Sequence, residues 1–348
     1  MPKLPNPTID AIYQSYVAKR NNEPERDYLG ASEIGEECCR RLWYSFRHVS
    51  RVEFEGRMLR LFDTGNIEET RIIADLRATG AKVYDRAPDG NQYRFEACDG
   101  HFSGGLDGVI EELLESPKTP HLLEAKSHNK KSFDDLEKNG VEKSKPKHIA
   151  QMQVLMHLAD LTRAAYVAAC KDDDRLWMER LEYSPTMGKD LILKANRIIH
   201  AETPPDKLGK DITDWRCKFC PFIEHCHGTA RPMVNCRTCV HSAPTSDAAW
   251  SCSVSGQCPT ICERHLIIPD LLPWAEPTDG DTTFVAYKLP DGRRFANVGG
   301  TNFDPALLES GMMLLASSEV VAIPIEAIGN DQVEMARATL GGKICSKE

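Results

Sequence analysis

His101–Ser127, HFSGGLDGVIEELLESPKTPHLLEAKS, is the stretch on which the reading of this chain turns. Asp107 sits in a Gly-Leu-Asp-Gly run followed by Val109-Ile110, and Glu124 follows His121-Leu122-Leu123. Between them Ser116-Pro117-Lys118-Thr119-Pro120 is turn chemistry, so the stretch reads as a hairpin of two adjacent strands. Side chains alternate across a strand. Glu124 and Lys126 therefore share a face that can also hold Asp107, while Ala125 points the other way into the packing. Carboxylate oxygens suit Mg²⁺ or Mn²⁺, such an ion acidifies its bound water, and an amine beside it orients that water and offsets charge on a phosphate. The reaction this predicts is phosphodiester hydrolysis. Taken alone the motif is loose, and a solvated charge pair at a strand end is its structural alternative.

The flanks extend the pattern. Arg57 to Gly80 has helical periodicity, with Phe62, Glu69, Ile73 and Leu76 on one stripe and Gly80 as a stop. Glu69 is thus predicted to face inward; Glu68, on the stripe of Leu61, Ile72 and Asp75, is the second choice, and both also fit a solvated rim. Lys147 to Leu161 reads as another helix, in which Gln151 shares a face with Leu155 and Leu158 and so needs a hydrogen-bond partner. An apolar strand, Ala164 to Cys170, follows, then Lys171, a turn at Asp172-Asp173-Asp174, and a return strand from Arg175 to Tyr183.

This order of helix, three strands, helix and strand resembles the PD-(D/E)xK nuclease superfamily. It is more similar to the RecB-like branch, which holds iron–sulfur nucleases of the CRISPR-associated and AddB types and phage exonucleases. The resemblance runs from Leu29 to Cys226 through ordered motifs: Gly30-Ala31-Ser32-Glu33-Ile34-Gly35 with Cys38, Arg40, Arg41, Leu42, Trp43 and Tyr44; Gly65 with Glu69; Asp107; Glu124-Ala125-Lys126; and Gln151. It implies an α/β fold, a restriction-endonuclease-like core whose mixed central sheet is flanked by helices, with a cysteine-rich metal-binding module appended. It further implies Mg²⁺ or Mn²⁺ on Glu69, Asp107, Glu124 and the Ala125 carbonyl, Lys126 orienting the water, and Gln151 positioning the lysine or the phosphate. The chain departs from the pattern where many relatives carry a histidine (here Glu69), where proline precedes the aspartate (here Leu106), and where tyrosine follows the glutamine by four residues (here Leu155).

Thirteen cysteines carry a second argument. With no N-terminal apolar segment and no membrane-length apolar run, the expected setting is the cytoplasm of a bacterial or phage-infected cell, where thiols are metal ligands more often than disulfides. Cys217, Cys220 and Cys226 form C-x2-C-x5-C, three ligands without a fourth nearby. In the family resembled, the fourth comes from the opening signature, here Cys38 with Cys39 as substitute, and the group held is a [4Fe–4S] cluster; the spacing also permits zinc. Cys236, Cys239, Cys252 and Cys262 have zinc-ribbon spacing, with His265, His241 and Cys258 as competing ligands. That ribbon reads as a structural knot, with a grip on DNA as the alternative. Cys98, Cys170 and Cys345 are left as buried small side chains and a tail thiol.

The expected organisation is a helical lead-in over 1–28, a nuclease core over 29–228, a zinc module over 229–272 and a small α+β extension over 273–348, with a hinge-like link from Pro204-Pro205 to Asp214 and a hairpin around Pro290-Asp291-Gly292. A formal net charge of −9 argues against attraction of nucleic acid to the whole surface. Lys130, Lys131, Lys147 and Lys171, with Arg40, are the candidate DNA contacts, the lysine-rich run after Lys126 lying where substrate phosphate would pass; a solvated loop is the alternative for that run, and pairing with core carboxylates the alternative for Arg40. The expectation is a Mg²⁺- or Mn²⁺-dependent deoxyribonuclease, an exonuclease of phage or mobile-element recombination or replication by resemblance. DNA and phage or host recombination or replication proteins are its implied partners, and no membrane is. A nucleic-acid-binding protein that uses the metal knots without catalysis is the rival class.

Overall fold

The computed structural model describes residues 6–257, 262–300 and 306–330. In chain order the first elements are α1 (Pro7–Asn21), β1 (Leu29–Gly30), α2 (Cys39–Phe46), α3 (Gly56–Ala78), β2 (Lys82–Tyr84), β3 (Arg94–Ala97), β4 (Phe102–Gly105), β5 (Gly108–Glu111) and β6 (His121–His128). Next come α4 (Lys130–Ser144), α5 (Pro146–Leu158), β7 (Arg163–Cys170), β8 (Leu176–Glu182), α6 (Pro185–Ile199) and α7 (Ile223–His227). The remainder comprises β9 (Ser242–Pro244), β10 (Trp250–Cys252), β11 (Gly256–Gln257), β12 (Glu276–Gly280), β13 (Phe284–Lys288), β14 (Arg294–Val298), α8 (Ala306–Glu309), β15 (Met313–Ala316) and α9 (Ser317–Ala322). They fall into two compact units, one of residues 1–36 and 52–197 and the other of 37–51 and 198–348. The span read from sequence as one core, 29–228, is thus divided between them.

The first unit is built on a mixed sheet in the order β2-β5-β6-β7-β8, in which β6 and β7 run parallel and the other neighbours antiparallel. A parallel pair needs a crossover, and the chain from β6 to β7 supplies it through α4 and α5. β6 is buried from His121 through Ala125 because both faces of a central strand are covered. On one face Leu123, Ala125, Ile110, Ala165 and Val167 pack with Ile72 and Ile73 of α3.

The predicted hairpin is corrected in one respect. Its first strand is two strands in two sheets: β4 pairs with β1 and β3, whereas β5 pairs with β2 and β6. The chain changes sheets at Leu106-Asp107. Gly104 permits the close approach there, since a Cβ at that position would lie 2.6 Å from Ala31 Cβ and 2.9 Å from Leu155 Cδ2.

The lysine-rich run after β6 is also not a loop. It is α4, capped by the Asn129 side chain, which accepts from Ser132 N–H at 2.9 Å, and anchored by buried Phe133, Leu136 and Val141. Gly140, at φ 72°, breaks the helix, and the Val141 N–H released there donates to Glu179 Oε2 at 2.9 Å.

In the second unit α2 buries Trp43, Tyr44 and Phe46, and the Tyr44 ring stands edge-on to Phe222 with centroids 5.6 Å apart. The cysteine-rich segment forms the small sheet β11-β10-β9, and β12-β13-β14-β15 make a second sheet around Phe284, Ala286, Ala296 and Val298. The hairpin expected at Pro290-Asp291-Gly292 is the antiparallel pair β13 and β14. In the predicted hinge-like link Pro204 and Gly209 are buried, a Cβ on Gly209 lying 2.6 Å from Cys217 Sγ, while Asp206, Lys207 and residues 210–213 are exposed.

Candidate functional site

Asp107, Glu124 and Lys126 are brought together, and the register explains how. Gly108 faces Leu123 across β5 and β6, so Asp107, one residue earlier, stands opposite Glu124 at the point where the chain leaves one sheet for the other. Its carboxylate is tied to the strand, Oδ2 accepting from the Ala125 N–H at 2.9 Å. Lys126 Nζ lies 2.5 Å from Glu124 Oε1 and 3.6 Å from Asp107 Oδ2. Glu124 Oε1 is buried, and the Lys126 ammonium of this ion contact is its close charged neighbour. Glu124 Oε2 accepts from Gln151 Nε2 of α5 at 3.1 Å, which is the partner that a glutamine on an apolar stripe requires.

Glu69 enters from α3. Gly65, four residues earlier on the same helical face, looks toward Ser127 Oγ, and Glu69 itself feels the charges of both Asp107 and Lys126. Burial pushes the Glu69 carboxyl up to about 7, with Asp107 adding to the rise and Lys126 opposing it. Glu124 is only 1% exposed; burial again is the largest cause of its rise to about 7, Lys126 opposing and Asp107 and Glu69 reinforcing it. Lys126 shows the converse. Burial pulls its amine down, but Glu124, Asp107 and Glu69 outweigh burial and the net direction is up. Glu68, the second choice on α3, lies 3.8 Å from Arg71.

Three carboxylates thus surround one ammonium, an excess of negative charge on hard oxygen donors. That donor chemistry fits a divalent cation, although among the described residues no group of three or more His, Cys, Asp and Glu side chains is disposed to hold a metal as it stands.

Of the expected phosphate contacts, Arg40 is corrected. It is 7% exposed, its Nε donates to Tyr44 Oη at 2.9 Å and its Nη1 to the Pro205 carbonyl at 3.0 Å, so it builds the second unit and is not presented to a ligand. Lys147 pairs with Glu36 at 2.6 Å and Lys130 with Asp134 at 3.2 Å. Lys131 and Lys171 are exposed, Lys171 at the end of β7 where its N–H donates to the His128 carbonyl.

Both cysteine groups lie in the second unit. Burial pushes the Cys220 and Cys226 thiols up, and Cys38 and Cys217 push both the same way, so each of these two lies within electrostatic reach of Cys220 and of Cys226. Cys39 lies in α2, with Cys38 at its N-cap. Burial likewise raises Cys239, with Cys252 and Cys262 adding to the rise, while hydrogen bonds from Ser255 help bring Cys252 down against its burial. His265 uses Nε2 on the Asn235 carbonyl at 2.9 Å, and His241 Nδ1 lies 3.5 Å from Ser253 Oγ. Cys258 and Cys345 lie outside the described residues. Cys170 is fully buried in β7; Cys98 is half-buried, its thiol pushed up to about 11 by burial.

Sequence reasoning missed His128 and Tyr166, which share the Glu124 side of the sheet and meet His148 of α5 there. His128 had a signal, since the alternation that pairs Glu124 with Lys126 continues to it. Tyr166 had none, because its place across from Glu124 is set by the β6–β7 register.

No family model and no curated protein matches this sequence. The chain is similar at a low level to the crystal structure of SSO0001, at 14% identity over 62% of this chain and 94% of that one, with a TM-score of 0.39. An alkaline exonuclease (LHK-Exo) from Laribacter hongkongensis is 17% identical over 53% and 90%, with a TM-score of 0.38. A phage related exonuclease from Haemophilus somnus 129PT is 16% identical over 51% and 96%, with a TM-score of 0.35. Likeness of this degree carries no argument about chemistry, which rests on the side chains. Among the described residues no helix is long and apolar enough to cross a membrane.

Proposed function

We propose that the protein is a metal-dependent nuclease that hydrolyses DNA phosphodiesters at the Asp107–Glu124–Lys126 site. The observation that carries this reading is the excess of carboxylate: Glu69, Asp107 and the buried Glu124 around a single lysine, with Glu69 and Glu124 held near 7 by burial and by Asp107. The oxygen donors of such a cluster fit a divalent cation. Glu69, Asp107, Glu124 and the Ala125 carbonyl are the groups that would hold Mg²⁺ or Mn²⁺. When bound, the ion supplies a more acidic water and charge neutralisation at phosphate.

The chain's own residues do the rest. Asp107, tied to the Ala125 N–H, keeps the strand end and the carboxylate in register. Gln151 holds Glu124 Oε2, so that the carboxylate does not rotate away from the site. Lys126, kept as an ammonium by its carboxylate neighbours, positions the attacking water and meets charge on the phosphate.

In the same reading Cys38, Cys217, Cys220 and Cys226 bind a [4Fe–4S] cluster with a structural role, and Cys236, Cys239, Cys252 and Cys262 bind Zn²⁺. Clustered thiolates repel one another unless a metal compensates them, which is the support for both. The biology proposed is exonucleolytic processing in phage or mobile-element recombination or replication, in the cytoplasm.

The test is incubation of linear, circular and end-labelled DNA with purified protein, with and without Mn²⁺. Metal-dependent loss of linear DNA that Lys126→Ala abolishes is the expected result. Undiminished cleavage by a contamination-controlled Lys126→Ala protein removes the assignment.

A further inference from the structure

The Glu124 side of the sheet carries a polar group that the chemistry above does not use. Tyr166, fully buried on β7 directly across from Glu124, has its hydroxyl 2.8 Å from His128 Nε2 and 2.8 Å from His148 Nδ1. The second nitrogen of His128, Nδ1, lies 3.3 Å from Ser132 Oγ on α4. The rings stack, with centroids 5.7 Å apart for His148 and Tyr166 and 6.4 Å for His128 and Tyr166.

A phenol has a single proton, so Tyr166 donates to one imidazole and accepts from the other. Ser132, His128, Tyr166 and His148 therefore form a chain whose hydrogen bonds all point one way. Reversing the chain carries one proton from end to end and leaves every ring neutral. Neutrality is what the surroundings demand: burial first, then Lys145, Lys126 and Lys171, holds His128 near 4, and burial with Lys126 and His128 holds His148 near 3.

One end of this chain belongs to the site. His148 precedes Gln151 by three residues on α5, one helical turn, and Gln151 reaches Glu124. His148 is half-buried, and among the described residues no protein group bonds to its Nε2.

We propose that Ser132, His128, Tyr166 and His148 are a proton relay to the leaving group, with His148 Nε2 the donor to the oxygen expelled from the phosphodiester. The proposal rests on the nuclease reading. In the step, the attacking water forms its bond to phosphorus and releases a proton to solvent. The bond from phosphorus to the leaving oxygen breaks with its electron pair on that oxygen, which takes the Nε2 proton of His148. His148 Nδ1 takes the Tyr166 proton, Tyr166 takes the Nε2 proton of His128, and His128 Nδ1 is reprotonated from solvent through Ser132.

The experiment compares single-turnover cleavage of Mn²⁺-supplied oligonucleotides whose scissile bond is ordinary or carries sulfur at the 3′ or 5′ bridging position. A thiolate leaves unprotonated, because a thiol ionises at a pKa of about 8.5 whereas an alcohol ionises near that of water, about 16. His148→Ala and His148→Gln are expected to slow ordinary DNA by about 100-fold, the lower end of general acid catalysis. Sulfur in the leaving position should bring both within a few-fold of the wild-type protein. Tyr166→Phe, which keeps the ring and its stacking but deletes the hydroxyl, should show the same loss and the same rescue even where His148→Ala fails to fold. Equal losses on oxygen and sulfur substrates overturn the relay and leave these residues structural. A wild-type protein inert on every substrate removes the nuclease reading and the relay with it, whereas active wild type with unrescued variants removes the relay alone.

Discussion

Replacing Glu124 with glutamine should stabilise the metal-free protein at high pH and leave it nearly unchanged at low pH. Glu124 is buried, and its carboxyl is raised from 4.5 to about 7, a value that already contains the opposing pull of Lys126. A carboxyl whose folded pKa lies above its unfolded one binds more protons when folded, so its contribution to stability falls as pH rises from about 4.5 to about 7. At about 1.4 kcal/mol per pKa unit the cost of holding Glu124 ionised is on the order of 3 kcal/mol, an upper bound for what a neutral isostere recovers. Glutamine keeps the shape, and its amide oxygen can face Lys126 while Gln151 turns its own oxygen toward the new amide. The assay is urea unfolding in EDTA, followed by circular dichroism, at pH 5 and pH 8. The variant should gain between one and three kcal/mol at pH 8, by the same estimate of about 1.4 kcal/mol per unit, and close to nothing at pH 5. Mn²⁺ should reverse the order at pH 8, since only the wild-type carboxylate compensates the ion. A Glu124→Gln protein that is no more stable than wild type at pH 8, or that gains equally at both pH values, refutes the account of a Glu124 carboxylate destabilised by its burial.

Asp107→Asn should abolish cleavage yet keep most of the stability, because an amide oxygen still accepts from the Ala125 N–H; Asp107→Ala leaves that donor without its acceptor and should cost a further 1–3 kcal/mol, roughly, in thermal or urea melts. Gly104→Ala should destabilise the first unit by about 1–3 kcal/mol in the same melts, since its methyl group would meet Ala31 and Leu155 within 3 Å, and a neutral result would contradict the close approach at the sheet change. Protein purified without oxygen should be brown, and Cys38→Ser or Cys220→Ser should bleach it; stoichiometric zinc without iron or sulfide points to the rival metal. Cys239→Ser should remove one Zn²⁺ by elemental analysis and spare the iron, and loss of iron on that substitution shows that the two cysteine groups share ligands.

Much of the site was legible because it is local. Glu124 and Lys126 share a face by the two-residue period of a strand, and a strand there needs only Leu122 and Leu123 and a turn before them. Gln151 announced a partner through its place on an apolar helical stripe, and that partner is Glu124. The α4 signal was present but outweighed: Phe133, Leu136 and Val141 are sparse among lysines and acids, and the helix gains its burial only by packing across the β6–β7 crossover.

Sequence by itself determined the helices that carry Glu69 and Gln151 and the chemistry-bearing face of β6, since periodicity, turn residues and donor type are properties of neighbours along the chain. The tertiary structure alone decided that Leu106-Asp107 joins two sheets, because which strand a segment pairs with is settled by hydrogen bonds to residues far away in sequence. It decided that Arg40 is buried on Tyr44 and Pro205, a choice between phosphate contact and internal pairing that the sequence leaves open. It also decided that Tyr166 meets His128 and His148, for a parallel register is fixed only once the crossover is packed, and shifting it by one residue would turn the tyrosine to the other face of the sheet.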